Sequence, residues 1–259
     1  MTTLSRHTKE SSVQALERIL AIVDSVSRAP SGVLPARVAE ESGLSLSTVV
    51  RLLQSLHDEG VLLRSGTTGQ YRIGPRLISV VGRATHSFDV RAAAAPVLEQ
   101  LRDTSGGETA SLHVRSGNQR ICIAAAYTTH PSGRIVPVGL PLPLTGSAVG
   151  HVLLAQLDDA TFDQVVDSMK LAPKAKKSLR LRVDQIRNDG YAESADESVE
   201  GVRGVAVPIG RQDDGGALSV SGPSDRFLAK HVPATLDRLR HAAALMEESG
   251  LRPSTIRLT

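Results

Sequence analysis

The stretch Leu34–Tyr71, LPARVAEESGLSLSTVVRLLQSLHDEGVLLRSGTTGQY, constrains the fold most, because its apolar spacing changes character twice. Pro35 suits a first helical turn, where its missing N–H costs nothing, and Val38 and Ala39 give a short helix an inward side until Gly43 breaks it. Ser45 is placed to cap a second helix running to about Glu59, with Leu46, Val49, Leu52, Leu53 and Leu56 on one side. The other side carries Ser47, Thr48, Arg51 and Ser55. Past Gly60, Val61–Arg64 and Gln70–Ile73 read as two short strands joined by the flexible loop Ser65–Gly69. Two short helices, a tight turn and a small hairpin spell a winged helix-turn-helix. Hydroxyls for phosphates and an arginine for guanine O6/N7 are the chemistry of a major-groove helix. Candidate DNA contacts are therefore Arg37, Ser45, Ser47, Thr48, Arg51 and Ser55, with Arg64 and Arg72 flanking the wing tip.

Charge agrees with that placement. Residues 1–88 hold 10 Lys or Arg against 7 Asp or Glu, and the remainder holds 20 against 20, so the whole net charge of +3 belongs to the first segment. A segment that meets phosphate is expected to carry such an excess. At 259 residues and 41% apolar content the chain has room for two cored domains. No run approaches ~18 apolar residues and the N-terminus lacks a signal-like apolar core, so the expectation is a cytoplasmic protein without a membrane partner. Cys122 is the single cysteine, which excludes an internal disulfide framework, and Ile121 and Ile123 beside it predict a core strand position.

Residues 12–28 predict an amphipathic helix with Val13, Leu16, Leu20, Val23 and Val26 inward and Ile19 and Ile22 beside them. Arg76–Thr85 predicts a helical connector, whose Leu77, Ile78, Val80 and Val81 are too apolar for a free linker and suggest packing on a partner chain. A helix follows at about Val90–Asp103, with Ala92–Ala95, Val97, Leu98 and Leu101 inward. Strands are expected at Ala110–Arg115, Arg120–Ala126, Val202–Ile209 and Ala217–Ser221, with a turn at Asp213–Gly216. Helices are expected at Ser147–Leu157, Asp159–Met169, Val183–Asp189 and Pro233–Ser249. The fold class is α+β: a winged helix-turn-helix over 1–74, a linker helix over 75–88, and an antiparallel sheet with packed helices over 89–259. The basic run Lys174–Arg182 reads as a solvated helix or loop in preference to a second nucleic-acid contact.

In their order and spacing, SVQALERILAIV, GLSLSTVVRLLQSLHDEGVL, YRIGPRL, RAAAAPVLEQLRDTSGGETASLHV, LPLTGSAVGHVLLA, DGYAESADESVEGVRGVAVPI and GALSVSGPSDR resemble the IclR family of bacterial transcriptional regulators, over nearly the whole chain. The resemblance implies a helix that helps dimerise and a C-terminal GAF-like domain that binds a small organic acid, in homodimers or dimers of dimers on a palindromic double-stranded DNA operator. It also implies a repressor of a catabolic operon. Carried onto this chain, the ligand-facing positions are Ala148, Val149, Ser194, Gly204, Ser219 and Ser221. Exposed N–H groups at a helix start and strand hydroxyls would suit a carboxylate without a buried countercharge. Where many members have Asp and Cys this chain has Ser194 and Gly204, which implies a roomier pocket, open even to an aromatic acid.

The competing class is an enzyme acting on a small organic acid through the C-terminal domain. Against it, GSAVG and LSVSG both miss the G-x-S-x-G elbow, no phosphate-binding glycine fingerprint occurs, and the eight histidines include no i, i+4 metal pair. His113 and His151 are read as core or pocket histidines; no catalytic residue, metal or cofactor is expected.

Overall fold

The computed structural model describes residues 4–86, 90–210 and 215–250, which divide into two compact units, Met1–Phe88 and Asp89–Thr259. In the first, α1 (Leu4–Ser27), α2 (Pro35–Ser42) and α3 (Leu46–Asp58) pack with the two-stranded antiparallel wing of β1 (Leu62–Arg64) and β2 (Tyr71–Ile73), and α4 (Pro75–His86) follows. Gly43 ends α2 at φ +68°, a left-handed conformation that glycine adopts without strain, and so sets the helix-turn-helix corner. Ser45 caps α3 by accepting from Thr48 N–H. Ile22, Val26, Val38, Val49, Leu53, Leu62 and Tyr71 form the core, and Val33 bonds Tyr71 in both directions, at 3.0 and 2.8 Å.

Three expectations here need correction. Leu16 and Leu20 face outward and the buried stripe of α1 is Ile22, Ser25 and Val26, while the side chain of Val13 lies outside the described residues. Leu46 is 52% exposed, because the buried row of α3 is Val49, Leu53 and Leu56. In the second unit, Ala92 and Ala93 face outward, since α5 (Val90–Thr104) turns Val90, Ala94, Leu98 and Leu101 inward.

That second unit is built on a six-stranded antiparallel sheet, ordered β5-β4-β3-β8-β7-β6 among the described residues. Its strands are β3 (Thr109–Ser116), β4 (Gln119–Ala126), β5 (Pro141–Pro143), β6 (Ala192–Ala195), β7 (Val202–Ile209) and β8 (Gly216–Pro223). β5 and β6 were not expected from the sequence. The turn expected at Asp213–Gly216 lies partly outside the described residues. Helices α6 (Ala148–Ala155), α7 (Asp159–Ser168), α8 (Pro173–Asp189) and α9 (Val232–Glu248) complete the unit. Strand side chains alternate between faces, so Leu112, Val205, Val207, Leu218 and Val220 point to one side and pack with α5 and α9. The opposite side presents Ala192, Ala206 and Ala217 to a second core built on α6, α7 and α8.

Helix α8 begins ten residues before the expected Val183 start and absorbs the basic run. Lys176 pairs with Asp167 at 2.5 Å, Arg180 bridges Asp159 and Asp163 and lies 4.2 Å over the Phe162 ring, and Arg182 pairs with Glu197 at 3.1 Å. These cations are committed to their own unit.

Candidate functional site

The solvent side of α3 carries Leu46, Ser47, Val50, Arg51, Gln54 and Ser55, grouped along one shallow surface. Of the expected contacts on this helix, Ser47, Arg51 and Ser55 lie on it. Thr48 is half-buried and tied at 2.8 Å to the Ser45 hydroxyl, and Ser55 donates back to the Arg51 carbonyl at 3.1 Å. Leu46, Val50 and Gln54 were not anticipated on this face. With Val49, Leu53 and Leu56 buried and Leu52 partly so, the helix leaves Leu46 and Val50 outside, and the spacing alone puts Leu46 on the wrong side. Arg37 is exposed but paired with Glu41 at 2.9 Å. Arg64 and Arg72 both stand on the wing, on opposite faces: Arg64 opposes Tyr71 in the ladder, and Arg72 opposes Leu63. No partner for the Arg51 guanidinium occurs among the described residues.

In the second unit, register places Ser194, Gly204, Ser221 and Thr109 in one row across β6, β7, β8 and β3. The neighbouring row is Ala192, Ala206, Ser219 and Ser111. All are small, so space opens between the sheet and the start of α6. Gly150 lets that helix approach closely, because a Cβ there would stand 1.9 Å from the Leu144 carbonyl oxygen. The result is a cavity of about 40 Å³ lined by Ala148, Val149, Ser194, Gly204, Ser219 and Ser221, all six positions carried over from the resemblance.

Its hydrogen bonding differs from expectation. The Ala148 N–H donates to Ser194 Oγ at 3.1 Å and the Gly150 N–H to Ser147 Oγ at 3.1 Å, so two of the three first-turn donors are already used. Ser111 and Ser219 share a hydrogen bond, and His113 Nε2 lies 3.0 Å from Ser111 Oγ. His113 Nδ1 is buried without a partner among the described residues. Burial, with a lesser contribution from the Arg120 charge, pushes His113 down to about 3, so the ring is neutral. His151, on α6, is pushed down to about 4 by burial and then by Arg182. Burial raises the Cys122 thiol to about 11, which makes it a core residue of β4 rather than a nucleophile.

A second difference is electrostatic. Arg120 and Arg134 also line the cavity, so buried positive charge is present where none was expected. Arg120, on β4, is 7% exposed, and its Nε donates to the Pro143 carbonyl at 3.2 Å. Burial, and then the neighbouring charge of Arg134, brings it down to about 10. Arg134 stands between β4 and β5, its carbonyl held by Thr109 Oγ1 at 2.5 Å. No sequence motif marks either arginine; their convergence depends on the β3–β4 register and on that one anchor. Among the described residues no cluster of His, Cys, Asp or Glu is placed to hold a metal, and no helix is long and apolar enough to cross a membrane.

The comparisons with known proteins agree with this architecture. Residues 15–66 match the model of the IclR helix-turn-helix domain, and residues 82–247 that of the bacterial transcriptional regulator IclR C-terminal domain. The chain is 28% identical over 257 residues to the HTH-type transcriptional repressor AllR of Salmonella paratyphi A, covering 95% of this chain and 93% of that protein. Among solved structures it resembles an IclR transcriptional regulator from Alicyclobacillus acidocaldarius, at TM-score 0.76 and 26% identity over 91% of this chain and 98% of the other. It shares the fold of an IclR homologue from Microbacterium hydrocarbonoxydans complexed with 4-hydroxybenzoate, at TM-score 0.74 and 23% identity, over 90% and 97%. The relatives are regulators, which removes the enzyme alternative, and α2, α3 and the wing form the DNA-binding element of such a protein. The two family models together span most of the chain, which therefore belongs to the IclR family of bacterial transcriptional regulators.

Proposed function

We propose that this regulator represses transcription from a palindromic operator, which it binds as a homodimer or dimer of dimers, and that a small organic acid in the C-terminal cavity sets its affinity for that DNA. In this reading residues 1–74 bind DNA, 75–88 join the units and support dimerisation, and 89–259 sense the acid. The observation that carries it is the cavity beside α6: Arg120, Arg134, the first turn of α6 at Ala148 and Val149 and several serines line it, and no carboxylate does. Such a lining favours an anion. A water-sized group occupies ~10–15 Å³ by the same measure, so about 40 Å³ favours a short acid over the aromatic acid that Ser194 and Gly204 suggested.

Dimerisation is supported by α4, whose Ile78 is 65% exposed with Val80 and Val81 also outward. Two-fold pairing would present two copies of α3 to successive turns of one DNA face. In support of repression stands the repressor AllR, which is similar over most of the chain. The test is a mobility-shift titration on DNA recovered by the protein from its own genome, repeated across a panel of short organic acids. The expected result is a salt-sensitive shift at a site with two-fold symmetry, altered by at least one acid. A shift indifferent to every acid, with no acid raising the melting temperature, would overturn the sensor reading. Replacing Ile78 and Val81 by Asp is expected to give folded monomers with weak DNA binding; an unchanged dimer in light scattering would remove α4 from the interface.

A further inference from the structure

The charge of the cavity limits its ligand beyond the word acid. Arg120 and Arg134 bring two guanidinium groups to one small enclosure, and its remaining polar side chains are serines and the neutral His113. Acidic residues in the adjoining segments are committed elsewhere: Glu193 to Arg203, Glu197 to Arg182, and Glu108 to Arg226. Apart from the Arg120 bond to Pro143, no hydrogen bond or ion pair to either guanidinium occurs among the described residues.

Arg120, buried, and Arg134, half-exposed, face one cavity without a counterion, so the two like charges oppose each other and Arg120 also loses hydration. A monocarboxylate would neutralise only one of them. Each guanidinium is a planar fork matched to one carboxylate, and the two stand on separate elements, β4 and the segment leading to β5. Serine hydroxyls, Ser221 and Ser198 among them, line the same space and can accept or donate as the bound groups require.

We propose that the ligand of this cavity is a short-chain dicarboxylate, with one carboxylate on the Arg120 guanidinium and the other on Arg134. The inference rests on the reading of the cavity as the effector site, and adds that two anionic groups are recognised together. It makes Arg134 a specificity-determining residue: Arg120 secures one carboxylate, and Arg134 separates a diacid from a monoacid of the same length.

Calorimetric titration of the full chain with oxalate, malonate and succinate, and with acetate and propionate as monoanions, tests this directly. Inorganic phosphate and sulfate serve as compact dianions without carboxylates. Because a dicarboxylate makes a second charged hydrogen-bonded pair, at least one is expected to bind roughly tenfold or more tighter than either monoanion. Arg134→Gln, at a half-exposed position where the fold tolerates the change, is expected to erase that difference while leaving the monoanions within about threefold. Monoanions that bind wild type as tightly as the diacids would overturn the dianion inference and leave the effector cavity standing. Phosphate or sulfate binding more tightly than every dicarboxylate would overturn the carboxylate assignment. If no anion binds, or if binding is unmoved by both Arg120→Gln and Arg134→Gln in variants whose melting confirms the fold, the cavity reading falls with it.

Discussion

Ser111 and Ser219 face each other across the β3–β8 ladder with their hydroxyl oxygens 3.0 Å apart, and Ser111 also meets His113. Ser219 is therefore a structural partner as well as a cavity wall, and Ser219→Ala is expected to lower stability by about 1 kcal/mol without any ligand. The informative quantity for the pair Ser219→Ala, Ser221→Ala is the ligand-induced shift. For wild type, an acid at a hundredfold excess over its dissociation constant is expected to stabilise by ~2.7 kcal/mol. In the double variant that increment is expected to vanish from the melting curve, while DNA affinity without acid stays the same. A shift that survives would place the sensor site elsewhere.

Two glycines near the cavity predict opposite outcomes. A Cβ on Gly204 would meet nothing closer than 3.6 Å, whereas one on Gly150 would collide with the Leu144 carbonyl. Gly204→Ala should fold as wild type and weaken the acid by filling the space it needs. Gly150→Ala should destabilise by about 1–3 kcal/mol or more, since helix and chain must part. Thermal melts and ligand titrations on both variants check this, and a wild-type melt for Gly150→Ala would contradict the close approach of α6.

The two buried histidines set an acid limit. Their native values, about 3 for His113 and about 4 for His151, lie below the ordinary 6.5, so the unfolded chain takes up protons first as pH falls. Stability is thus full above about 6.5 and declines through the window down to those native values, by about 1.4 kcal/mol per pH unit for each histidine. Calorimetric melts between neutral and mildly acidic pH are expected to record the decline, and His113→Asn to flatten it. An unchanged acid slope in that variant would mean the ring is charged in the native state.

On the DNA side, Arg51→Ala is expected to weaken specific binding by ~1–3 kcal/mol without altering the fold. Arg64→Ala should weaken all sequences about equally and reduce the salt slope by about one, the mark of a phosphate contact. The exposed Val50 beside Arg51 suits a thymine methyl group, so Val50→Ala should cost affinity on the native operator and little on one carrying uracil in place of thymine. Mobility-shift titrations at several salt concentrations separate these effects.

The helix-turn-helix was legible because its signals are local: Pro35, Gly43, Ser45 and the spacing from Val49 to Leu56 act within a few turns. Inward and outward sides were less so. Leu16, Leu20 and Leu46 are apolar residues on exposed flanks, and periodicity alone cannot separate them from a buried stripe. β5 is a three-residue edge strand with Pro at both ends, and β6 carries Glu193 and Ser194 between two alanines, so neither presents a β-branched pattern. Of the six serines that line the cavity, Ser194, Ser219 and Ser221 came from the family resemblance. Arg120 and Arg134 did not, because what joins them is tertiary register.

The sheet order has a kinetic consequence. β3 pairs with β8, so the Ser111–Ser219 bond joins positions 108 residues apart, whereas α1 to β2 are assembled from near neighbours. Long loop closure delays such pairing. During synthesis the DNA-binding element can fold as it emerges, while the cavity waits until β8 has left the ribosome. A chain truncated before Gly216 would then carry a competent winged helix without a ligand-responsive half.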